Sequence, residues 1–326
     1  MVFIEELLPK NIVKDGSVDY TNIIQKILDT NKIVVFPDFP VLINERGLEI
    51  LSHSRLFFQK KSKLILKPNK LGQYEMLRIH NCEDVEIYNP ILIGDREKHL
   101  SDSGEWGMGI SIRGSKNIII YGADVSKCWG DGIYLGVTEQ LSNNVNVGIF
   151  NSCLDFNRRN GMSIIAGENV NVKGLWVTNT SGTPPYAGID IEPDKPTDIL
   201  RNLNFENIVS INNKDHGFLI ALSNLYGINQ KEVNIAIKNL IVKKTSYGLS
   251  FKIGNENLEL AKPTGTINVE GVLFENVQIA DYFSYEENSN SIFRLNLKVN
   301  SNQAKNIDHL QKSFANVKNV KIFESY

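Results

Sequence analysis

The chain has 326 residues, 42% of them hydrophobic, with 35 basic and 37 acidic side chains and a net charge of −2. That apolar share supports a folded core, and the near-neutral balance excludes a nucleic-acid binder that works through bulk positive charge. No stretch is long and apolar enough for a membrane-crossing helix, and three cysteines (Cys82, Cys128, Cys153) without metal-type spacing suggest buried free thiols rather than a disulfide framework.

The first residues place Glu5 and Glu6 where a secretory leader carries basic groups. Location is left open among cytoplasmic, phage-associated, and secreted with the leader removed. Asp19 then stands as an N-cap candidate before Ile23, Ile24, Ile27 and Leu28, apolar residues at helical spacing. This predicts a helix inside an N-terminal cap over residues 1–32. Ile33-Val34-Val35-Phe36-Pro37 reads as the first strand.

From residue 109 a short phrase (Gly, apolar, any residue, apolar) recurs six times, starting at Gly109, Gly132, Gly161, Gly188, Gly217 and Gly248. The intervals are 23, 29, 27, 29 and 31 residues, a period that marks a solenoid with one repeat per coil. Alternation within each phrase is the period of a strand. The first and third residues after each Gly are expected to point inward, and the second outward. Further alternating runs cover 117–125, 144–154, 169–179, 200–211 and 233–242, so each coil carries two or three short strands. Glycine is expected where the chain bends sharply. Asn169, Asn179, Asn207 and Asn212 are expected at bends, bonding their own backbone or forming ladders. The predicted architecture is all-β: one parallel β-helix domain over 1–326, with coils over 33–300 and a C-terminal cap and last strand over 301–326. Asn302–Phe314, with Ala304, Ile307, Leu310 and Phe314 apolar, suggests a second covering helix.

The opening, from Asp15 and Asp19-Tyr20-Thr21-Asn22-Ile23-Ile24-Gln25 to Val34-Val35-Phe36-Pro37, resembles the N-terminal cap of pectin-lyase-like right-handed β-helix proteins. Coils through Trp129-Gly130-Asp131-Gly132-Ile133-Tyr134-Leu135-Gly136 and Ala187-Gly188-Ile189-Asp190-Ile191-Glu192-Pro193 continue the likeness over nearly the whole chain. The resemblance implies a single-stranded right-handed parallel β-helix and a carbohydrate-active protein. Polygalacturonases, pectate lyases, alginate epimerases and phage tailspike depolymerases share that scaffold. The chain departs from the pattern at Asp38-Phe39-Pro40, where the cap usually continues with Gly and an aromatic residue. It also lacks adjacent aspartates and a Gly-His-Gly, of which Asp215-His216-Gly217 is a partial echo.

Stacking the coils on their glycines yields four outward columns: Ser111, Tyr134, Ser163, Asp190, Leu219, Ser250; Arg113, Gly136, Ile165, Glu192, Ala221, Lys252; Met108, Asp131, Asn160, Ala187, His216, Tyr247; and Gly107, Gly130, Arg159, Tyr186, Asp215, Ser246. Ionisable groups gather mid-strip. Asp190 and Glu192, two apart on one strand, face the same way. A carboxyl pair of this kind suits glycosidic hydrolysis, one protonating the leaving oxygen and the other activating water or attacking. Asp131, Asp215 and His216 are candidate catalytic helpers. Arg159 is the candidate ligand for an acidic sugar. Arg158 is a candidate substrate ligand too; on an extended chain the two arginines point opposite ways, so at most one faces the strip and the other bridges to a surface acid. Glu105, Trp106 and Tyr186 on bordering loops, with Tyr134, His99 and Lys252, complete the candidate binding set, and Trp129 reads as an inward packing residue.

The expected function is glycoside hydrolysis of an acidic polysaccharide or oligosaccharide, with no metal or cofactor. The alternatives are a uronic-acid lyase or C5-epimerase, using His216 or a Tyr as base and Arg, Lys or Ca²⁺ as neutralising charge, and a non-catalytic glycan-binding or structural solenoid. No nucleic-acid or membrane partner is expected, and the assembly is expected to be a monomer or a homotrimer.

Overall fold

Period-two alternation repeated along a chain buries one face of every strand only if the strands stack into a closed coil. The computed structural model does this over the residues it describes, 1–141, 143–254, 259–284, 292–299 and 320–324. Nine strands, one per coil, form one parallel sheet, from Leu48–Glu49 through Gln73–His80, Trp106–Arg113, Ile133–Gly136, Met162–Ile164, Ile189–Ile191, His216–Ala221 and Tyr247–Lys252 to Ile279–Ser284. The remaining strands make a 16-stranded sheet whose longest members are Val145–Asp155, Gly167–Thr178, Leu200–Ile211, Glu232–Lys243 and Thr264–Glu275.

The register follows the glycines. Ile110 pairs with Ile133, then Met162, Ile189, Phe218 and Leu249, and all lie in one continuous core. The third residues after each Gly (Ile112, Leu135, Ile164, Ile191, Ile220, Phe251) are buried there too. The glycines themselves serve close packing rather than a bend. None of the six has a positive φ. A Cβ on Gly109, Gly161, Gly188 or Gly217 would stand 2.6 Å from the carbonyl oxygen of the next coil's glycine, and one on Gly132 would stand 2.8 Å away. Only a residue without a side chain allows coils this close.

The left-handed conformation falls instead to asparagine. Asn169, Asn179, Asn207 and Asn212 all have φ between 56° and 59°. Their amides stack coil on coil: Asn212 Nδ2 donates to Asn179 Oδ1 at 2.7 Å, Asn239 Nδ2 to Asn207 Oδ1 at 3.0 Å and Asn169 Nδ2 to Asn146 Oδ1 at 3.1 Å. A short polar side chain that tolerates this backbone and bonds its neighbour explains the high asparagine content of these turns.

The N-terminal helix runs Thr21–Thr30 and buries Ile24, Ile27 and Leu28 in the core. Asp19 accepts from the Thr21 N–H (3.0 Å) and hydroxyl (2.6 Å), tying down the helix entry without being its cap residue. The first coil strand is Ile33–Val35. The proposed second helix over 302–314 lies outside the described residues. Cys82 and Cys128 are buried, whereas Cys153, expected to be buried, is half-exposed because it faces outward from the long sheet.

Candidate active site

The second residue of each phrase faces away from the core, and pairing sets Ser111, Tyr134, Ser163, Asp190, Leu219 and Ser250 in one file. The file is nevertheless enclosed: Ser111, Asp190 and Ser250 are 0% exposed, and Tyr134 only 9%. Neighbouring columns close over it. Met108, Tyr134 and Ile165 form one small apolar cluster, and Ala187, Leu219 and Ala221 another. The strip is therefore divided into polar compartments.

The central compartment joins Asp131, Arg159, Asn160, Ser163, Asp190 and Glu192. Asp131 Oδ2 accepts from Ser163 Oγ (2.7 Å) and Arg159 Nη1 (3.1 Å), and its Oδ1 from the Asn160 N–H (3.0 Å). Asn160 Nδ2 reaches on to Asp190 Oδ2 at 3.1 Å, so Asn160 and Ser163 bridge the acids across an intervening coil. Arg159 Nη2 lies 3.8 Å from Glu192 Oε2. Glu192 is the solvent-facing member, its side chain 39% exposed against 13% for Arg159 and 0% for Asp131.

Burial first, then the charge of Glu192, pushes the Asp190 carboxyl well above the usual carboxylate range, against the pull of Arg159. Burial also raises Asp131, opposed by Arg159, Ser163 and Asn160. Burial works against the Arg159 charge, but Asp131, Asp190, Glu105 and Glu192 together outweigh it and raise its pKa. Asp190 Oδ1 and Arg159 Nε are buried, and the Asp190 carboxyl interacts with the Glu192 side chain next along the strand face. Asp194 joins the acidic side, raised by burial and by Asp198 and Glu192.

Asp215 and His216 form a separate compartment beyond the Ala187–Leu219–Ala221 patch. His216 Nδ1 lies 2.8 Å from Ser250 Oγ, its ring stacks on Tyr247 at 5.2 Å, and Nε2 is 3.8 Å from Asp215 Oδ2. Burial lowers the His216 pKa to about 4, with Lys252 adding to the effect and Asp215 opposing it. Between pH 6.5 and about 4 the unfolded chain therefore binds more protons at this site than the folded one. Stability from this group is complete above the unfolded value and is lost as pH falls toward the folded one. The expected loss is of the order of 2–3 kcal/mol. His216→Gln is expected to remove it, as read by urea unfolding at about pH 7 and about pH 4.5.

Several candidates sit elsewhere than their expected places on the strip. His99, placed in the binding set by the sequence, is enclosed instead. Its side chain is fully buried, with Nδ1 2.8 Å from Asp95 Oδ2 and the ring stacked 3.9 Å from Trp129. Arg158 packs 3.9 Å from the Trp129 ring and donates to the Gly104 carbonyl at 2.8 Å, so it braces the loop before Trp106 rather than meeting the strip. Trp129 is a buried packing residue, as expected. Trp106 (50% exposed) opens the strand Trp106–Arg113 rather than lying on the bordering loop, Glu105 is half-buried beside it, and Tyr186 carries Lys214 Nζ 4.1 Å over its ring. Lys252 pairs with Ala221 on the His216 side.

No protein-family model matches the chain. Two proteins of Bacillus subtilis (strain 168) are similar in sequence: the SPbeta prophage-derived protein YorA, 30% identical over 165 residues (45% of this chain), and YclG, 28% identical over 212 residues (56% of this chain). The matched segments span only 28% and 36% of those relatives' lengths. Among solved structures, a tailspike protein of E. coli bacteriophage HK620 in complex with a pentasaccharide covers 99% of this chain and 59% of its own, at 11% identity and a TM-score of 0.63. The Azotobacter vinelandii mannuronan C-5 epimerase AlgE4 A-module covers 92% of this chain and 87% of its own (13%, TM-score 0.57), and endo-xylogalacturonan hydrolase from Aspergillus tubingensis covers 89% and 83% (12%, TM-score 0.56). The chain has the right-handed β-helix fold of the pectin-lyase-like proteins.

Within this pectin-lyase-like solenoid, Asn160, Ser163 and Asp194 were not singled out by motif. Asn160 and Ser163 occupy the rows between Asp131 and Asp190, so the stacked alignment already held the signal. Asp194 lies past the strand end, where column reasoning does not reach.

Proposed function

We propose that the protein hydrolyses a glycosidic bond in an acidic polysaccharide or oligosaccharide, with the Asp190–Glu192 pair at the reacting centre. The carrying observation is a fully buried Asp190, its pKa raised by burial, directly behind the half-exposed Glu192 and beside Arg159. One carboxyl holds a proton in reserve while the other meets the sugar. Glu192 passes a proton to the leaving oxygen and Asp190 resupplies it; the C–O bond breaks, and water adds at the anomeric carbon as a nearby carboxylate takes its proton. Asp194 on the same coil, which feels the charges of Glu192 and Arg159, is the candidate for that last role. Solved relatives in fold that are named as a hydrolase, an epimerase and a tailspike bound to a pentasaccharide support a saccharide ligand in the groove. Calcium does not fit this centre, because the Arg159 guanidinium already lies between Asp131 and Glu192, where a cation would sit.

One observation favours a second reading. His216, neutral to about pH 4, is a ready base for removing a proton beside a uronic carboxylate, the step of a lyase or epimerase. Incubation with acidic polysaccharides separates these readings. New reducing ends without ultraviolet absorbance support hydrolysis. Absorbance of an unsaturated sugar identifies a lyase, and altered stereochemistry without cleavage an epimerase. None of these signals with any polysaccharide bound in the groove would leave a binding solenoid.

A further inference from the structure

On the N-terminal side of the carboxyl cluster, the same face carries charged side chains that the hydrolytic reading leaves unused. Leu77 and Ile79 point into the core, so Arg78 and His80 face outward, and the next coil sets Ser111 opposite Arg78 and Arg113 opposite His80. Arg113 Nε donates to Glu75 Oε1 (3.1 Å) and Ser111 Oγ (3.0 Å), while His80 Nε2 lies 3.1 Å from Ser111 Oγ and 3.3 Å from Glu75 Oε2. Burial of Glu75 is outweighed by its bonds to His80 and Ser111 and by the charges of His80 and Arg113, which hold its pKa at about 2. Arg78 donates through Nη1 to the Arg46 carbonyl. The Glu75 carboxylate thus faces one guanidinium group and a histidine, while Arg78 on the same strand is held by a backbone carbonyl. Among the described residues, the Nη atoms of Arg113 and the Nε and Nη2 atoms of Arg78 have no hydrogen-bond acceptor. The Arg113 side chain is 21% exposed, so those donors reach solvent.

We propose that Arg78 and Arg113 form a subsite for an anionic sugar substituent, a carboxylate or sulfate. It rests on the reading of the strip as a saccharide groove and gives the acidic group of that substrate a place. The two arginines are diagonal neighbours on adjacent strands, with Cα atoms roughly 8 Å apart, and a guanidinium offers paired donors to a planar or tetrahedral oxyanion. Arg113, Gly136, Ile165 and Glu192 share one column, so the subsite stands three coils, about 14 Å, from Glu192. Between them lies Tyr134, its ring 4.5 Å from the Arg113 guanidinium and close over Gly136, where a Cβ would meet it at 2.3 Å. With only 9% of Tyr134 exposed, its ring braces the Arg113 guanidinium rather than meeting a sugar. The anion therefore binds away from the bond that breaks, and Arg159 stays committed to Asp131.

Titration of the isotope-labelled full chain with D-glucuronate and with sodium sulfate, following the arginine Nε–H resonances of Arg78 and Arg113, tests this. A saturable shift is expected with at least one anion and none with glucose, and the better anion identifies the substituent. Arg78→Gln, which leaves the Glu75–Arg113 pair intact, is expected to weaken binding about tenfold or more, with the unfolding midpoint confirming that the variant folds. Drift no different from that with sodium chloride, or unchanged affinity in Arg78→Gln, overturns the subsite. Anion binding without hydrolysis of any polysaccharide would sink the proposed activity and keep the subsite; hydrolysis without anion binding would do the reverse.

Discussion

Glu192→Gln is expected to lower kcat by about 10²- to 10⁴-fold on a polysaccharide the protein cleaves, with little change in unfolding midpoint. Glu192 is the centre's solvent-facing carboxyl and makes only a loose 3.8 Å approach to Arg159, so its amide removes proton transfer while costing the fold within about 0.5 kcal/mol. Asp190→Asn is the informative companion. Its turnover is expected to fall as well, but its stability near neutral pH is expected to rise. The folded-state pKa of Asp190 is raised, by burial and then by Glu192. The folded protein therefore binds the extra proton as pH climbs from the unfolded value, and stability is lost across that window up to the folded pKa. An asparagine has no proton to lose. It keeps an oxygen for Asn160 Nδ2 and gains an N–H for Glu192. Thermal unfolding across pH measures the gain, about 2–4 °C for each kcal/mol recovered. A variant that loses turnover without gaining stability would show that Asp190 is not the buried proton store proposed.

Arg159→Met carries the largest expected cost to the fold, about 3–5 kcal/mol. Arg159 Nη1 is 3.1 Å from Asp131 Oδ2, and Asp131 is fully buried. Removing the guanidinium leaves an uncompensated carboxyl under the strip, held only by Ser163 and the Asn160 N–H. The double variant Arg159→Met, Asp131→Asn is expected to recover much of the loss, because the buried charge goes with its partner. Urea unfolding of the single and double variants checks both. Full additivity of the two single changes would deny the coupling.

Much of the architecture was legible because a solenoid repeats one local rule. The six glycine phrases set the register that the strands adopt, and alternation after each glycine sorted core from strip without error. The physical reason for those glycines was not legible. A sharp bend and a close coil-to-coil approach both demand a missing side chain, and only the stacked carbonyls tell them apart. Arg158 and Arg159 do part, but at a bend between Val145–Asp155 and Met162–Ile164 and not on the extended chain the sequence suggests, Arg158 packing on Trp129 and Arg159 on Asp131. His99 was not readable, because its place is decided by Asp95 and Trp129, brought beside it by the coils and by the loop before Trp106.

The same division holds at the candidate site. Composition and period alone determined a parallel β-helix, an outward file running through Ser163 and Asp190, and acids concentrated in its middle. Whether that file meets solvent was a tertiary decision. Long side chains from adjacent columns lean across it, burying Asp131 and Asp190 and leaving Glu192 as the acid of that central set which reaches the surface. A strand's pattern specifies direction, but exposure depends on what neighbouring coils place above it, and that is a property of the stack rather than of any one repeat.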